Sequence, residues 1–404
     1  MNLSPPPSVD VAIVGAGPVG LLLAALLGAQ GRSVVLADRR LAPPAHSMAI
    51  GITPPSLKIL GRLGLTDELI RQGVQVRDCQ VHGESGRLGC VSFRNIPAQH
   101  RFVLSLPQSE TMSTLQRHLA ACPTVSLRLG QEVAAVTQQD GHCDLTFADG
   151  TRGSLRAKYV VACEGSRSPL RSAHRFHGRG RSYDVHFAMG DFIDRTELGD
   201  EAHLFFKASG SVESFPLPGG LRRWIVQTSE RLYHPPPGLI SDLVRRRTGA
   251  ILQREDQLNE STFTPRRLNC DTYHDRRLIL CGDAAHVMSP IGGQGMNTGF
   301  ADAEFLAGAI AVCLDQPAGA PRALSAYSCY RRKAAQSAIR RAGLGMWLGT
   351  WTGMPRALLR DFILRHLLCQ GPLEPFMGPF YAMLTIPYNT LERVPADALN
   401  PQAA

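Results

Sequence analysis

Three glycines and one carboxylate near the N-terminus have the spacing of a phosphate cradle. In the stretch VDVAIVGAGPVGLLLAALLGAQGRSVVLAD, residues 9–38, Gly15, Gly17 and Gly20 form GxGxxG and Asp38 closes the segment. Val9–Val14 and Ser33–Ala37 read as buried parallel strands, and the Leu/Ala-rich stretch between them reads as a helix. At such a strand-to-helix turn, glycine permits a tight bend and lets backbone N–H groups approach a pyrophosphate. The positive end of the helix dipole adds to the attraction. A carboxylate at the end of the second strand suits ribose hydroxyls and repels a 2′-phosphate, so the unit selects FAD or NAD over NADP. Pro18 and Arg39 belong to the same candidate set.

A second chemically loaded stretch, RRLILCGDAAHVMSPIGGQGMNTGFADA, spans residues 276–303. Leu278–Cys281 is an apolar strand with Gly282-Asp283 at its C-terminal end, the edge at which parallel sheets bind ligands. Beyond it, Pro290, Gly292, Gly293, Gly295, Met296 and Asn297 lead into a helix expected to begin near Gly295. A third element, Cys163-Glu164-Gly165-Ser166-Arg167-Ser168, follows a strand at Lys158–Ala162. That strand is expected to return from an Asp149-Gly150 hairpin turn after Cys143–Phe147.

Taken together, these elements resemble the flavoprotein monooxygenases that hydroxylate para-hydroxybenzoate, phenols, polyketides and ubiquinone precursors. The resemblance implies an α/β fold with a Rossmann-like, glutathione-reductase-type FAD-binding domain, an inserted β-sheet substrate domain and a helical C-terminal tail. It assigns Asp283 to the ribityl chain of FAD, Pro290 to the reactive face of the isoalloxazine, and the backbone of Gly292–Asn297 to its pyrimidine edge. Gln108, at the start of a helical stretch reaching Ala121, matches a cofactor-proximal position of the family. The chain departs from the pattern twice. Glu164 stands where the family usually carries aspartate, and Met48, in His46–Ile52, stands where many members carry arginine, which puts the mode of flavin reduction in question. The implied reaction consumes NADPH or NADH and molecular oxygen, and hydroxylates or epoxidises a hydrophobic aromatic or polyketide-like molecule through a flavin hydroperoxide. The protein's part is to orient the substrate and exclude water. No side-chain nucleophile is expected, so the flavin-proximal candidates are Pro290 and Met48, and His286 reads as structural. A halogenase or reductase of the same fold, and a non-catalytic FAD-binding protein in a biosynthetic assembly, stay open. Arg223-Trp224-Ile225-Val226 lacks the WxWxIP element of the halogenases.

The expected division is 1–75, 104–175 and 269–330 as a discontinuous FAD-binding domain, 76–103 with 176–268 as the substrate domain, and 331–404 as a C-terminal helical region. Short strands at Phe187–Phe192, Ala202–Phe206, Val212–Pro216 and Arg223–Ser229 would cover the flavin. Phe187, Met189, Phe205, Phe215 and Trp224 are then pocket-wall or core residues, and His186, His203 and Tyr233 are phenol-deprotonating candidates without a placement. Past Ala320 the chain turns basic, with Tyr330-Arg331-Arg332-Lys333 followed by Arg340, Arg341, Arg356, Arg360 and Arg365 around Trp347 and Trp351. Two readings compete there: helices packed on the FAD domain with solvated arginines, or a peripheral membrane contact.

Composition agrees with a folded enzyme: 404 residues, 44% hydrophobic and 19% charged. The net charge of +9 suits anionic partners, but no zinc-finger spacing, basic-heptad pattern or RNP-like strand supports nucleic acid. No metal site is expected. Ten cysteines without CxxC fit a reducing cytoplasm. Met1–Pro7 lacks a signal peptide's start, and no stretch is long and apolar enough to span a bilayer. A monomer and a homodimer are both compatible with this sequence.

Overall fold

A computed structural model describes residues 7–42, 49–149, 154–290 and 292–388. Its first sheet is built on strands β1 (Ser8–Val14), β2 (Val34–Asp38), β3 (Val125–Leu129), β4 (Ser154–Ala162) and β5 (Leu278–Leu280). Their order is β5-β4-β1-β2-β3, and every neighbouring pair is parallel. A strand His274–Asp275 adds antiparallel to β5, and the antiparallel strands Val133–Gln138 and Cys143–Phe147 extend β4 on one side. Gly150 of the expected Asp149-Gly150 turn lies outside the described residues.

Central strands covered on both faces need continuous apolar runs, and β1 supplies one: Val11, Ala12, Ile13 and Val14 are all buried. Helix α1 (Pro18–Ala29) is buried along Gly20–Leu27. It has no polar face because it is covered on several sides, by the sheet, by helix Gln108–Ala120 and by the long helix α2 (Gln294–Asp315).

A second sheet of seven strands gathers Ser261–Phe263, His186–Ile193, Leu221–Thr228, Gly210–Leu217, Ala202–Lys207, Asp78–Gly83 and Gly86–Ser92, in that spatial order. Side chains alternate between its faces, and the alternation divides the residues expected to wall a pocket. Phe205 and Trp224 turn to one face, where Ala188, Phe192, Val212 and helix Leu239–Thr248 pack over them. They are core. Phe187, Met189 and Phe215 lie on the other face by the same parity.

That second face is covered by the C-terminal helices α3 (Ala320–Gly349) and α4 (Met354–Ile363) and by residues 374–384. Helix α3 runs unbroken through residues 330 and 331, so there is no joint at that division. The expectation that the tail arginines are solvated fails for two of them. Arg331 and Arg360 have no exposed surface. Arg360 donates to the carbonyls of Trp351 (2.8 Å) and Phe206 (2.7 Å), which staples α4 to the second sheet. An arginine can be buried when its fork is filled by acceptors in this way.

Candidate functional site

The C-terminal ends of β1 and β4 lie side by side and carry two of the three chemical elements. Gly15 takes φ +109°, and a Cβ there would fall 2.4 Å from the Cys163 carbonyl oxygen, so only glycine lets the two strand ends meet. Gly20 is equally constrained, its Cβ position lying 2.0 Å from the Gly15 carbonyl. Gly17 differs: nothing lies within 4 Å of its Cβ position. It is the N-cap of α1, with Pro18 opening the helix. The first N–H groups of α1 therefore face open space at the positive helix end, which is what an anion requires.

Asp38 is buried and partly committed within the chain. It accepts from Ala16 N–H (2.8 Å) in the glycine turn and from the backbone N–H of Arg40 (2.8 Å). Burial alone would raise its carboxyl, but the hydrogen bonds from the Arg40 side chain and the two backbone N–H groups outweigh burial and hold it below the usual range. Arg39 is exposed beside it.

Glu164 accepts from Ser168 Oγ (2.5 Å) and Leu170 N–H (3.1 Å), capping the short helix Pro169–Ala173. Burial raises its carboxyl against these bonds and against the nearby charges of Arg171 and Arg39. Arg171 reaches from the same segment to the Ala284 carbonyl (3.0 Å) and the Ser166 carbonyl (2.7 Å). The second and third elements are thereby tied together.

Asp283 lies in a single 3-10 turn, Gly282–Ala284, after β5. Its carboxylate faces solvent yet is surrounded by protein, as on the floor of an open cleft, and burial lifts its pKa above the usual carboxylate range. Among the described residues no group donates a hydrogen bond to that carboxylate. Behind the turn sits a fully buried cluster: Asp302 accepts from Gly282 N–H (3.2 Å), His286 Nε2 (2.5 Å) and Arg331 Nε (2.7 Å). His286 is thus a structural group whose imidazole braces the turn.

Gly293, at φ +63°, caps α2 with no side-chain hydrogen bond, and its N–H donates to the Pro290 carbonyl (2.9 Å). The helix begins at Gln294, one residue before the expected start. Met296 and Asn297 are buried in its first turns, and Pro290 is half-buried. The Asn297 side chain is saturated by the protein: its Oδ1 accepts from Thr53 N–H (2.9 Å) and its Nδ2 donates to Gly51 O (2.9 Å) and Gly293 O (2.7 Å). Only its backbone faces the start of the helix, so the side chain positions the loop. Gln108 opens its helix, its N–H donating to Ala49 O (3.2 Å) and its Nε2 to Met112 Sδ (3.8 Å). Met48 lies outside the described residues.

The sequence reading missed the groups that hold these elements in place, namely Thr53, Arg171, Asp302 and Arg331. The only signal available was Asp302, a carboxylate inside the otherwise mostly apolar stretch Gly299–Ala309, whereas Arg331 is hidden in the basic run Tyr330-Arg331-Arg332-Lys333.

A cradle with open space beyond Gly17, an unpartnered carboxylate and a glycine-capped helix start, all at strand ends of one parallel sheet, match the FAD binding domain family over residues 8–342. The chain belongs to that family. Its cofactor is FAD, and the arrangement fits it: an elongated ligand with a central pyrophosphate and a polyhydroxylated chain has an anion site and a free acceptor waiting. The chain is 31% identical over 305 residues to rifampicin monooxygenase of Rhodococcus hoagii, an alignment covering 73% of this chain and 62% of the relative. It thus spans about three fifths of that relative's length. It is 29% identical over 343 residues to para-nitrophenol 4-monooxygenase of Pseudomonas sp. (strain WBC-3), covering 80% and 82% of the two chains. The crystal structure of p-nitrophenol 4-monooxygenase from Pseudomonas putida DLL-E4 superposes with a TM-score of 0.82 at 22% identity, covering 95% of this chain and 99% of that one. That likeness establishes the shared fold.

Proposed function

We propose that this FAD-binding protein is a monooxygenase that uses NADPH or NADH and molecular oxygen to hydroxylate a hydrophobic aromatic small molecule. The observation carrying this reading is the open glycine turn at Gly17, the Asp283 carboxylate with no described hydrogen-bond donor and the Gly293 helix cap, gathered in a chain of the FAD binding domain family. Bound FAD would supply the redox chemistry that activates oxygen. In this reading the N–H groups at Gly17–Gly20 and the α1 terminus hold the pyrophosphate, and Asp38 faces the adenosine side with Arg39 near the phosphates. Asp283 accepts from the ribityl hydroxyls. The N–H groups beginning at Gly293 stabilise negative charge on the reduced ring, with Pro290 and Met296 packing beside it. Glu164 and Gln108 stand at the cleft edges, and the second sheet excludes water from the reacting atoms. The sheet of residues 186–263 with 78–92 serves as the substrate-bearing unit, and α3 continues the FAD-binding part into the tail. The test is oxygen uptake by the FAD-loaded protein with NADH or NADPH, with and without phenols, followed by ¹⁸O incorporation from labelled oxygen. Protein that stays colourless after FAD reconstitution sinks the reading.

The tail supports a second contact, with an anionic bilayer surface. Helix α4 is inverted: it buries Ala357, Arg360 and Asp361 and exposes Met354, Leu358, Leu359 and Phe362, each more than half exposed. Trp347 at the end of α3 is exposed on the same tail, and Arg340, Arg356 and Arg365 accompany these side chains. A second copy of the chain would set these arginines against one another, whereas acidic headgroups complement them. Among the described residues no helix is long and apolar enough to cross a membrane, so this is contact at the surface.

A further inference from the structure

Glu213 is a charged residue placed where an apolar one would be expected. It lies in mid-strand in Gly210–Leu217, paired across to Leu204 and Ile225, and it is only 6% exposed. By alternation and pairing it shares the tail-covered face with Phe215, Leu204 and Phe206. No described residue donates a hydrogen bond to it or pairs with its charge. A buried carboxyl without a partner costs several kcal/mol in principle, and the other buried acids on this sheet avoid that cost. Asp191 is gripped by Arg223 Nε at 2.6 Å, and Asp78 by Arg94 Nε at 2.7 Å.

The position relative to the cofactor cleft follows from the connections. Three residues beyond Glu213, the Pro216 carbonyl accepts from Ser105 Oγ (2.6 Å). Strand Val103–Ser105 pairs with Gly51–Ile52, and Asn297 binds Gly51 to the Gly293 cap. Three residues of strand amount to roughly 10 Å, so Glu213 lies about that far along the strand from this junction. Tyr381 from the tail and Cys79 from the strand Asp78–Gly83 stand close enough for the Glu213 charge to help raise their own pKa values. Two residues on, Met383 reaches Thr53 beside the same cap (4.0 Å).

We propose that Glu213 is the polar anchor of an aromatic-substrate subsite, accepting a hydrogen bond from a ring hydroxyl and so setting which ring carbon faces the cofactor. This deepens the monooxygenase reading and rests on it for the identity of the ligand as a substrate. Burial pushes the Glu213 carboxyl up to about 7, so near neutral pH it is poised to accept a phenolic proton as well as a hydrogen bond. A site built to hydrogen-bond a hydroxyl rejects its methyl ether strongly, because the buried polar group is then left unpaired.

The experiment measures equilibrium binding to FAD-loaded protein, without reductant, of 4-nitrophenol, resorcinol and 3-hydroxyphenylpropionate and of their O-methyl ethers. Wild type should prefer at least one hydroxyl compound over its ether by tenfold or more. Glu213→Leu should abolish that preference with FAD content unchanged, and Glu213→Gln, which keeps an acceptor, should retain part of it. A preference that survives in Glu213→Leu, or no hydroxyl probe binding in preference to its ether, overturns the proposal. Because binding is read without turnover, a Glu213-dependent preference in a protein that inserts no oxygen would leave the anchor standing and remove only the monooxygenase reading.

Discussion

Replacing Glu213 by glutamine should make the protein more stable, and only above a definite pH. The carboxyl's ordinary value is 4.5, and burial pushes it up to about 7 in the folded chain. A folded pKa above the unfolded one means that the folded state holds the proton more tightly. Unfolding therefore releases a proton between these values. The carboxyl's contribution to stability is fully present below about 4.5, falls as pH rises through about 7, and stays lost above it. Each tenfold change in proton affinity is worth about 1.4 kcal/mol, so the total loss is roughly 3 kcal/mol. Glutamine has nearly the same shape and no charge to desolvate. Any constant cost of burying its amide is independent of pH and cancels when two pH values are compared. The assay is urea unfolding of wild type and Glu213→Gln at pH 5 and pH 8, followed by circular dichroism. The stability difference between the two proteins should move by roughly 3 kcal/mol in the variant's favour from pH 5 to pH 8. A difference that is the same at both pH values would refute the reasoning, because it would mean that Glu213 is solvated or paired.

Three further outcomes follow from the site. Gly17→Val is tolerated by the fold, since nothing lies within 4 Å of that Cβ position. The side chain would occupy the space reserved for phosphate and weaken FAD binding by at least about 100-fold, roughly 2.7 kcal/mol. Flavin content and the melting temperature of the FAD-free protein measure both halves, and normal flavin loading would disprove the assignment. Asp302→Asn leaves the Arg331 charge buried without its counter-ion and should cost about 3–5 kcal/mol, whereas the double variant Asp302→Leu with Arg331→Met should recover much of it. Urea midpoints decide this, and a single-variant cost under about 0.5 kcal/mol, typical of a neutral surface change, would contradict the buried-cluster geometry. Flotation with vesicles rich in phosphatidylserine should carry the wild-type protein upward, and Phe362→Ser with Trp347→Ser should leave it at the bottom, because each apolar side chain withdrawn from the bilayer forfeits about 1.5–3 kcal/mol. Wild-type protein that does not float ends the membrane contact.

Much of the first sheet was legible because its signals are local. GxGxxG between two apolar runs describes one turn of backbone, and the strands it predicted at Val9–Val14 and Ser33–Ala37 differ from Ser8–Val14 and Val34–Asp38 by a residue at the ends. The glycines at 15 and 20 could be read for the same reason, since their necessity is a steric matter between neighbouring strand ends. The start of α2 was readable to within one residue from the Gly292-Gly293 pair.

Other features depend on which surfaces meet. Alternation along a strand shows that Phe205 and Phe206 occupy opposite faces, but not which face meets helix Leu239–Thr248 and which the C-terminal region. Arg331 and Arg360 look in sequence like a solvated basic tail, and they are buried because carbonyls and Asp302, distant along the chain, converge on them. Asn297 carries the composition of a cofactor contact, yet Thr53, Gly51 and Gly293 take up its amide. Glu213 shows no local mark at all. By itself the amino-acid sequence determined that this chain carries nucleotide-binding strand-end turns and resembles the FAD-dependent family to which it belongs, because a backbone conformation limited to glycine is written in residue types and spacing. Only the tertiary structure decided which charges are solvated, which are paired and which are buried without a described partner, because desolvation and pairing depend on groups far apart along the chain.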